Sequence, residues 1–416
     1  MTPFGVVFVL VLGLATVIRL WLSMRHIAYM QAHRSAVPAQ FAAEVGLEAH
    51  QRAADYTSAK TRVGMISIVI DAALVLWLTL GGGVQLLYDT SSRAFDGEIT
   101  RGLALIALVS VLTTLIELPL GLYRTFRIEE RFGFNKMTPA LYWKDFAKNA
   151  ALAAAFGLPL AACVLWLLAA AGDYWWLYAW GVWVVFNLTM LAIYPTWIAP
   201  LFNRFSPMHD PEMKVRVETL LERCGFKVKG LMVMDGSKRS SHGNAYFTGF
   251  GKTKRIVFFD TLLARLTPPE VEAVLAHELG HFRLRHVAKR IAWIFAGSLA
   301  FLWLLDLVMH QDWFYTGLNV EERATAVALV LFFLVVPSFT FLLQPLMASY
   351  SRKHEFEADR YAVQNTSASD LANALVKLYK DNASTLTPDP VHSAFYDSHP
   401  PALARISRLQ HGRQGA

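Results

Sequence analysis

The sequence predicts a multi-span α-helical membrane protein, about seven transmembrane helices, carrying a small α+β domain. Three observations carry this. The 416 residues are 55% hydrophobic and only 17% charged, a composition outside the range of ordinary soluble domains. The apolar residues gather into seven runs of the length needed to cross a bilayer, about 20 residues each. One polar segment of mixed periodicity then interrupts the series between the fifth and sixth runs.

In chain order the runs are approximately 4–24, 63–88, 101–122, 149–171, 174–197, 289–310 and 325–349. The first lacks a basic region and a small-residue cleavage site, so it reads as a retained helix. Trp175, Trp176 and Trp180 open the fifth as an interfacial aromatic belt. Four parts follow: 1–197 with five spans, 198–288 as an α+β segment, 289–349 with two spans, and 350–416 as a polar C-terminal segment. In the α+β segment, 211–224 reads as an amphipathic helix, and Leu231–Met234, Ala245–Phe250 and Arg255–Phe259 as short strands. There are no internal repeats.

Charge sets an orientation. Arg25, Arg34, Arg52, Lys60 and Arg62 follow the first span, and Arg124, Arg127, Arg131, Lys136 and Lys144 follow the third. The intervening loops are short and neutral or acidic, with Asp312, Glu321 and Glu322. The positive-inside rule then puts the amino terminus outside and His277 inside. The net charge of +7 comes from these loops. No basic patch interleaved with aromatics suggests nucleic acid. Cys163 and Cys224 form no metal-binding or disulfide pattern. Asp71, Glu117 and Asp306 lie in or near apolar runs, where an acid lines a wet interior or hydrogen-bonds a neighbouring helix.

The chemistry concentrates in His277-Glu278-Leu-Gly-His281. Thr267-Pro268-Pro269-Glu270 just before it predicts a helix start with a capping box. On a helix, residues four apart share a face, so His277 and His281 can offer imidazoles to one metal ion. Glu278 is offset by one position, within reach of a water at that metal. Two His, a Glu base and a third ligand from elsewhere make the pattern of a zinc peptidase. For the third ligand, Glu355 and Asp359 share a helix face in the tail. His286 would face away from the histidine pair on a straight helix, and His354 and Glu357 point off the Glu355–Asp359 stripe. A charged helix on the wet side gives the same spacing.

With these stretches together, the chain resembles the M48 metallopeptidases, and among them the CaaX prenyl protease 1 (Ste24-like) group. The likeness rests on His277-Glu-Leu-Gly-His281, Glu355-Phe-Glu-Ala-Asp359, Glu129-Glu-Arg-Phe-Gly-Phe-Asn135-Lys, Asn244-Ala-Tyr-Phe-Thr-Gly-Phe250, Lys254-Arg-Ile-Val-Phe-Phe-Asp260 and Ser398-His399-Pro-Pro401 with Arg405 after it. Seven spans also match, where the related HtpX-like proteases have fewer.

The resemblance implies one Zn2+ per chain held by His277, His281 and Glu355, with Glu278 as general base. Asp359 would orient a ligand histidine or donate a proton, and His399 would stabilise an oxyanion. Asn244 and Tyr246 would sit on a substrate-binding strand, with core packing as the alternative for Tyr246 and Phe247. Arg405, also placed with the substrate-binding residues, could instead pair with Asp359 or Glu355. The implied partners are the lipid bilayer and a peptide or protein substrate, prenylated or membrane-tethered, with no nucleic acid. An HtpX-like quality-control protease is the near alternative, and a transporter or channel with a structural zinc is the distant one. Ala-, Leu- and Arg-rich usage and the ending Arg-Gln-Gly-Ala suggest a bacterial inner membrane with a cytoplasmic site. In a eukaryote the membrane would be that of the endoplasmic reticulum.

Overall fold

The structure is a computed structural model and describes residues 2–227, 230–248 and 255–411. Gly249, Phe250 and Lys254 of the sequence motifs lie outside the described residues, as does the Arg-Gln-Gly-Ala ending. Seven helices are long and apolar enough to cross a membrane: Pro3–Ala32, Leu47–Leu78, Glu98–Glu129, Pro139–Ala170, Gly172–Phe202, His286–Met309 and Thr325–Asn365.

The second span differs from the expected 63–88. It starts earlier, at Leu47, and stops at Leu78, because Gly81-Gly82-Gly83 breaks the helix. Gly82 takes φ 75°, open to glycine at no steric cost. A side chain on Gly81 would meet the Trp77 carbonyl oxygen at 2.7 Å. A separate helix, Gly83–Ala94, follows.

One end of the bundle is sealed by a large apolar cluster. It takes Phe8 and Leu12 from the start of the first span, Leu78 from the end of the second, Leu105 from the start of the third and Leu167 from the end of the fourth. Trp175, Leu305 and Val327 join it, so alternate helix ends meet there. Trp175 Nε1 donates to Asp306 at 2.6 Å, which settles the hydrogen-bonded reading for that acid. The amino terminus sits at this sealed end, and the polar domain at the other.

That domain has a four-stranded sheet of order β1-β2-β4-β3: β1 Phe205–Pro207, β2 Gly230–Met234, β3 Ala245–Thr248 and β4 Arg255–Phe259. β2 and β4 are parallel, and β3 is antiparallel to β4 at the sheet edge. Helix Pro211–Arg223 buries Met213, Val217, Leu220 and Leu221, the spacing of one apolar face. Short β1, ending in a proline, carries no alternation from which to predict it.

The metal-site helix, Pro268–Arg283, begins with the capping box, Thr267 N donating to Glu270 at 2.7 Å. It packs against helix Gln344–Asn365, which a 3₁₀ turn at Phe341–Leu343 joins to the last span. The expected boundary after residue 349 therefore falls inside a helix. Gly280 allows the close approach: a Cβ there would lie 3.0 Å from Ala358 Cα and 3.1 Å from Tyr361 Cβ. Gly280→Ala should separate the two helices by a few tenths of an ångström. Overpacking of about 1–3 kcal/mol exceeds the roughly 1 kcal/mol gained in helix propensity. A lowered Tm and reduced bound metal are expected; wild-type values of both would show that the helices have slack.

Candidate metal centre

The close helix pair brings three ligand groups together. His277 and His281 come from the metal-site helix and Glu355 from its neighbour, with ligand atoms all within 4.8 Å of one another. His277 Nε2 and His281 Nε2 are 3.2 Å apart. Each lies 3.3 Å from a carboxylate oxygen of Glu355.

These residues fit a metal ion. Glu355 Oε2 is buried and makes no hydrogen bond among the described residues. Both Nδ1 atoms are engaged elsewhere: His277 with Asp359 Oδ1 at 2.8 Å and His281 with His286 Nδ1 at 3.0 Å. With Nδ1 protonated, each Nε2 presents a lone pair. Two imidazole nitrogens and a carboxylate oxygen are a donor set that suits zinc and leaves a position open.

A second layer of charge lies behind these three side chains. Arg405 Nε donates to Asp359 Oδ2 at 2.9 Å, and Nη2 to Oδ1. Nη1 stands 3.8 Å from Glu355 Oε2. Arg405 is 5% exposed, so its guanidinium is committed to the pairings with Asp359 and Glu355. Burial would lower the pKa of His277, but hydrogen bonds to Asp359 and Glu355 outweigh it and raise the group to about 9. A proton and a metal ion thus compete for the same nitrogen. Burial pushes the Glu278 carboxyl up, partly offset by the charges of His277 and His281.

Glu278, Asn244, His277, Glu355, His399 and Arg405 all line one cavity of ≈ 120 Å³. His399 reaches in from the loop before the last helix, its Nε2 3.5 Å from Glu355 Oε1. Tyr246 is not among the lining residues. Its ring meets Phe259 edge-on at 6.2 Å and its hydroxyl reaches Met234 Sδ at 4.0 Å. Phe247 packs on Phe282, so core packing accounts for both side chains.

His399 also borders a larger chamber of ≈ 720 Å³ whose walls include His26, Tyr56, Lys60, His242 and Asn382. No local sequence pattern marks Tyr56, His242 or Asn382. Asn382 Oδ1 accepts from Gly243 N at 3.2 Å. Phe134 stacks on His242 at 4.4 Å, and Tyr56 donates to Glu129 at 2.6 Å. The Glu129–Asn135 motif therefore fastens the loop leading into β3 to the membrane helices. The motif itself is the signal legible in sequence; its partner Tyr56, and Asn382, which holds the loop at His242 and Gly243, stand alone in sequence.

The profile described as CAAX prenyl protease N-terminal, five membrane helices, matches residues 26–204, and that of peptidase family M48 matches residues 207–413. A CAAX prenyl protease 1 homolog from Arabidopsis thaliana is 38% identical over 317 residues, 76% of this chain and 74% of the relative. The chain belongs to the CaaX prenyl protease 1 group of peptidase family M48. A homolog from Homo sapiens is 33% identical, covering 81% of each chain. The crystal structure of Ste24p from S. mikatae superposes with a TM-score of 0.90 at 29% identity, over 98% of this chain and 99% of the other. This M48 chain is accordingly a membrane metalloendopeptidase. The match through all seven spans disfavours the HtpX-like alternative, and family membership removes the transporter reading.

Arg405→Met should leave Asp359 buried beside His277 without its cation. Breaking such a pair costs about 3–5 kcal/mol. Thermal unfolding should show a marked loss of Tm together with weaker metal retention; an unchanged Tm would mean that Asp359 is supported by His277 alone.

Proposed function

We propose that the metal is zinc, held by His277 Nε2, His281 Nε2 and Glu355, and that Glu278 is the general base for peptide hydrolysis. The observation that carries this is the position of Glu278. It lines the same small cavity as two of the ligand side chains without itself belonging to the convergent group. When bound, zinc supplies a Lewis acid that polarises the scissile carbonyl and makes water a better nucleophile.

The chain's own residues do the rest. The Glu278 carboxylate takes a proton from the attacking water as its oxygen bonds to the carbonyl carbon. It then delivers that proton to the amine nitrogen as the C–N bond breaks. Burial places its pKa above the ordinary carboxylate range, which suits a group that must both accept and return a proton. Ser398 Oγ lies 3.1 Å from His399 Nδ1. With Ser398 donating, Nε2 carries the proton and donates to the developing oxyanion. Asp359 fixes the tautomer of His277, and Arg405 holds Asp359. The open edge of β3 pairs with the substrate backbone, with Asn244 at its entrance.

Glu278→Gln should bind zinc as the wild type does and lose turnover, since an amide cannot take the proton. Glu355→Ala should lose most of its zinc. Metal analysis beside a peptidase assay decides both. Normal turnover in Glu278→Gln would remove it as base, and full zinc in Glu355→Ala would reassign the ligand.

We further propose that the substrate is the carboxyl-terminal region of a prenylated or membrane-tethered protein, reached from the cytoplasm. The relatives carry the name CAAX prenyl protease 1, and the chamber that His399 borders is walled by His26 of the first span and Tyr56 and Lys60 of the second. Each buried CH₂ contributes about 0.8 kcal/mol, so a farnesyl group should lower KM more than it changes kcat. The test supplies one peptide, with and without farnesyl on its cysteine, to sealed vesicles of known sidedness. Cleavage should be confined to vesicles with the cytoplasmic face outward, with lower KM for the farnesylated peptide. Equal KM values would contradict the lipid's contribution, and cleavage only from the other face would invert the orientation.

A further inference from the structure

The two ligand histidines are supported differently. His277 Nδ1 meets a carboxylate directly, at 2.8 Å. His281 Nδ1 instead meets a third imidazole, His286 Nδ1, at 3.0 Å. The other nitrogen of that ring, His286 Nε2, lies 2.9 Å from Glu357 Oε2. His286 is 2% exposed. A straight helix would have carried it about 140° round from His281. The metal-site helix ends at Arg283, however, and Arg285 takes φ 56° before a new helix starts at His286. A non-glycine residue in the left-handed region is uncommon, and here it turns His286 back onto His281.

We propose that His286 and Glu357 are positioning residues for the metal, forming a carboxylate–imidazole–imidazole chain that fixes the tautomer and ring orientation of His281. This rests on His281 being a ligand, as proposed above. One proton arrangement satisfies every contact. His281 needs its Nε2 lone pair for the metal, so Nδ1 carries the proton and donates to His286 Nδ1. His286 then carries its proton on Nε2 and donates to Glu357. Lys353 Nζ stands 4.0 Å from the other oxygen of Glu357. His354 stacks on His286 with ring centroids 4.0 Å apart and planes at 8°, which restrains the middle ring.

The same side chains present a rival. Ligand atoms of His286, His354 and Glu357 lie within 4.8 Å of one another, as a second metal would require. The stacking argues against it: nitrogen lone pairs lie in the ring planes, so two parallel rings direct them side by side rather than at one point. Both His286 nitrogens are also already engaged.

The test uses the full-length protein in detergent, zinc and cobalt as probes, and four variants. Zinc dissociation constants come from chelator competition, with zinc per chain and the electronic spectrum of the cobalt-loaded protein beside them. His286→Leu and Glu357→Ala should bind zinc about 10–100-fold more weakly and shift the cobalt spectrum. Glu357→Gln, whose amide oxygen still accepts, should stay near the wild type. His354→Phe keeps the stack and should do likewise. Should His286→Leu fail to fold, Glu357→Ala on the half-exposed end of the chain decides alone. Wild-type affinity and spectrum in Glu357→Ala would overturn the proposal. So would two zinc ions per wild-type chain with one lost in His354→Phe. A wild-type chain that binds no zinc would instead strike the ligand assignment on which the inference rests.

Discussion

The contact between Gly280 and Ala358 sets the distance between the metal-site helix and the helix that continues the last span. Neither helix holds a metal by itself: one brings His277 and His281, the other Glu355 and Asp359. Every ligand distance follows from how closely the two backbones approach. Gly280, between Glu278 and His281, leaves no side chain to hold the two backbones apart. Because one of these helices is rooted in the bilayer, the membrane spans fix the chemistry as well as anchoring it.

Bringing so many ionisable groups into one buried place is costly, since each charge loses its hydration. The arrangement offsets this with near-complete pairing. Arg405 neutralises Asp359, Asp359 accepts from His277, and Glu357 closes the line behind His281. Arg405 comes from the C-terminal helix Ala402–His411, and His399 from the loop before it. This part of the chain thus both completes the charge pairing and brings His399 to the cavity. Glu355 Oε2 alone is left buried without a hydrogen bond among these groups, at the point where a cation would sit.

Much of this could be read from sequence because it is periodic. Residues four apart on a helix place His277 with His281 and Glu355 with Asp359 whatever surrounds them. Thr267 and Glu270 mark a helix start through local hydrogen bonds, and bilayer thickness dictates the length of an apolar run. What escaped depends on breaks and long-range contacts. A straight helix would turn His286 away from His281, and no glycine or proline announces the turn at Arg285. Gly81-Gly82-Gly83 did announce one, but the apolar run continued through it and hid the end of the second span. Arg405 offered two pairings and a substrate role until the fold brought it against Asp359. Tyr56, His242 and Asn382 come from three distant parts of the chain, and no local pattern joins them.

In the proposed centre one metal ion sits between His277, His281 and Glu355, with the side chains behind His281 orienting it. Anomalous diffraction from crystals of the zinc-loaded protein, collected on either side of the zinc edge, tests this most directly. A single peak is expected, within bonding distance of His277 Nε2, His281 Nε2 and a Glu355 oxygen, with no peak between His286 and Glu357. A peak among His286, His354 and Glu357, or none beside Glu355, would contradict it.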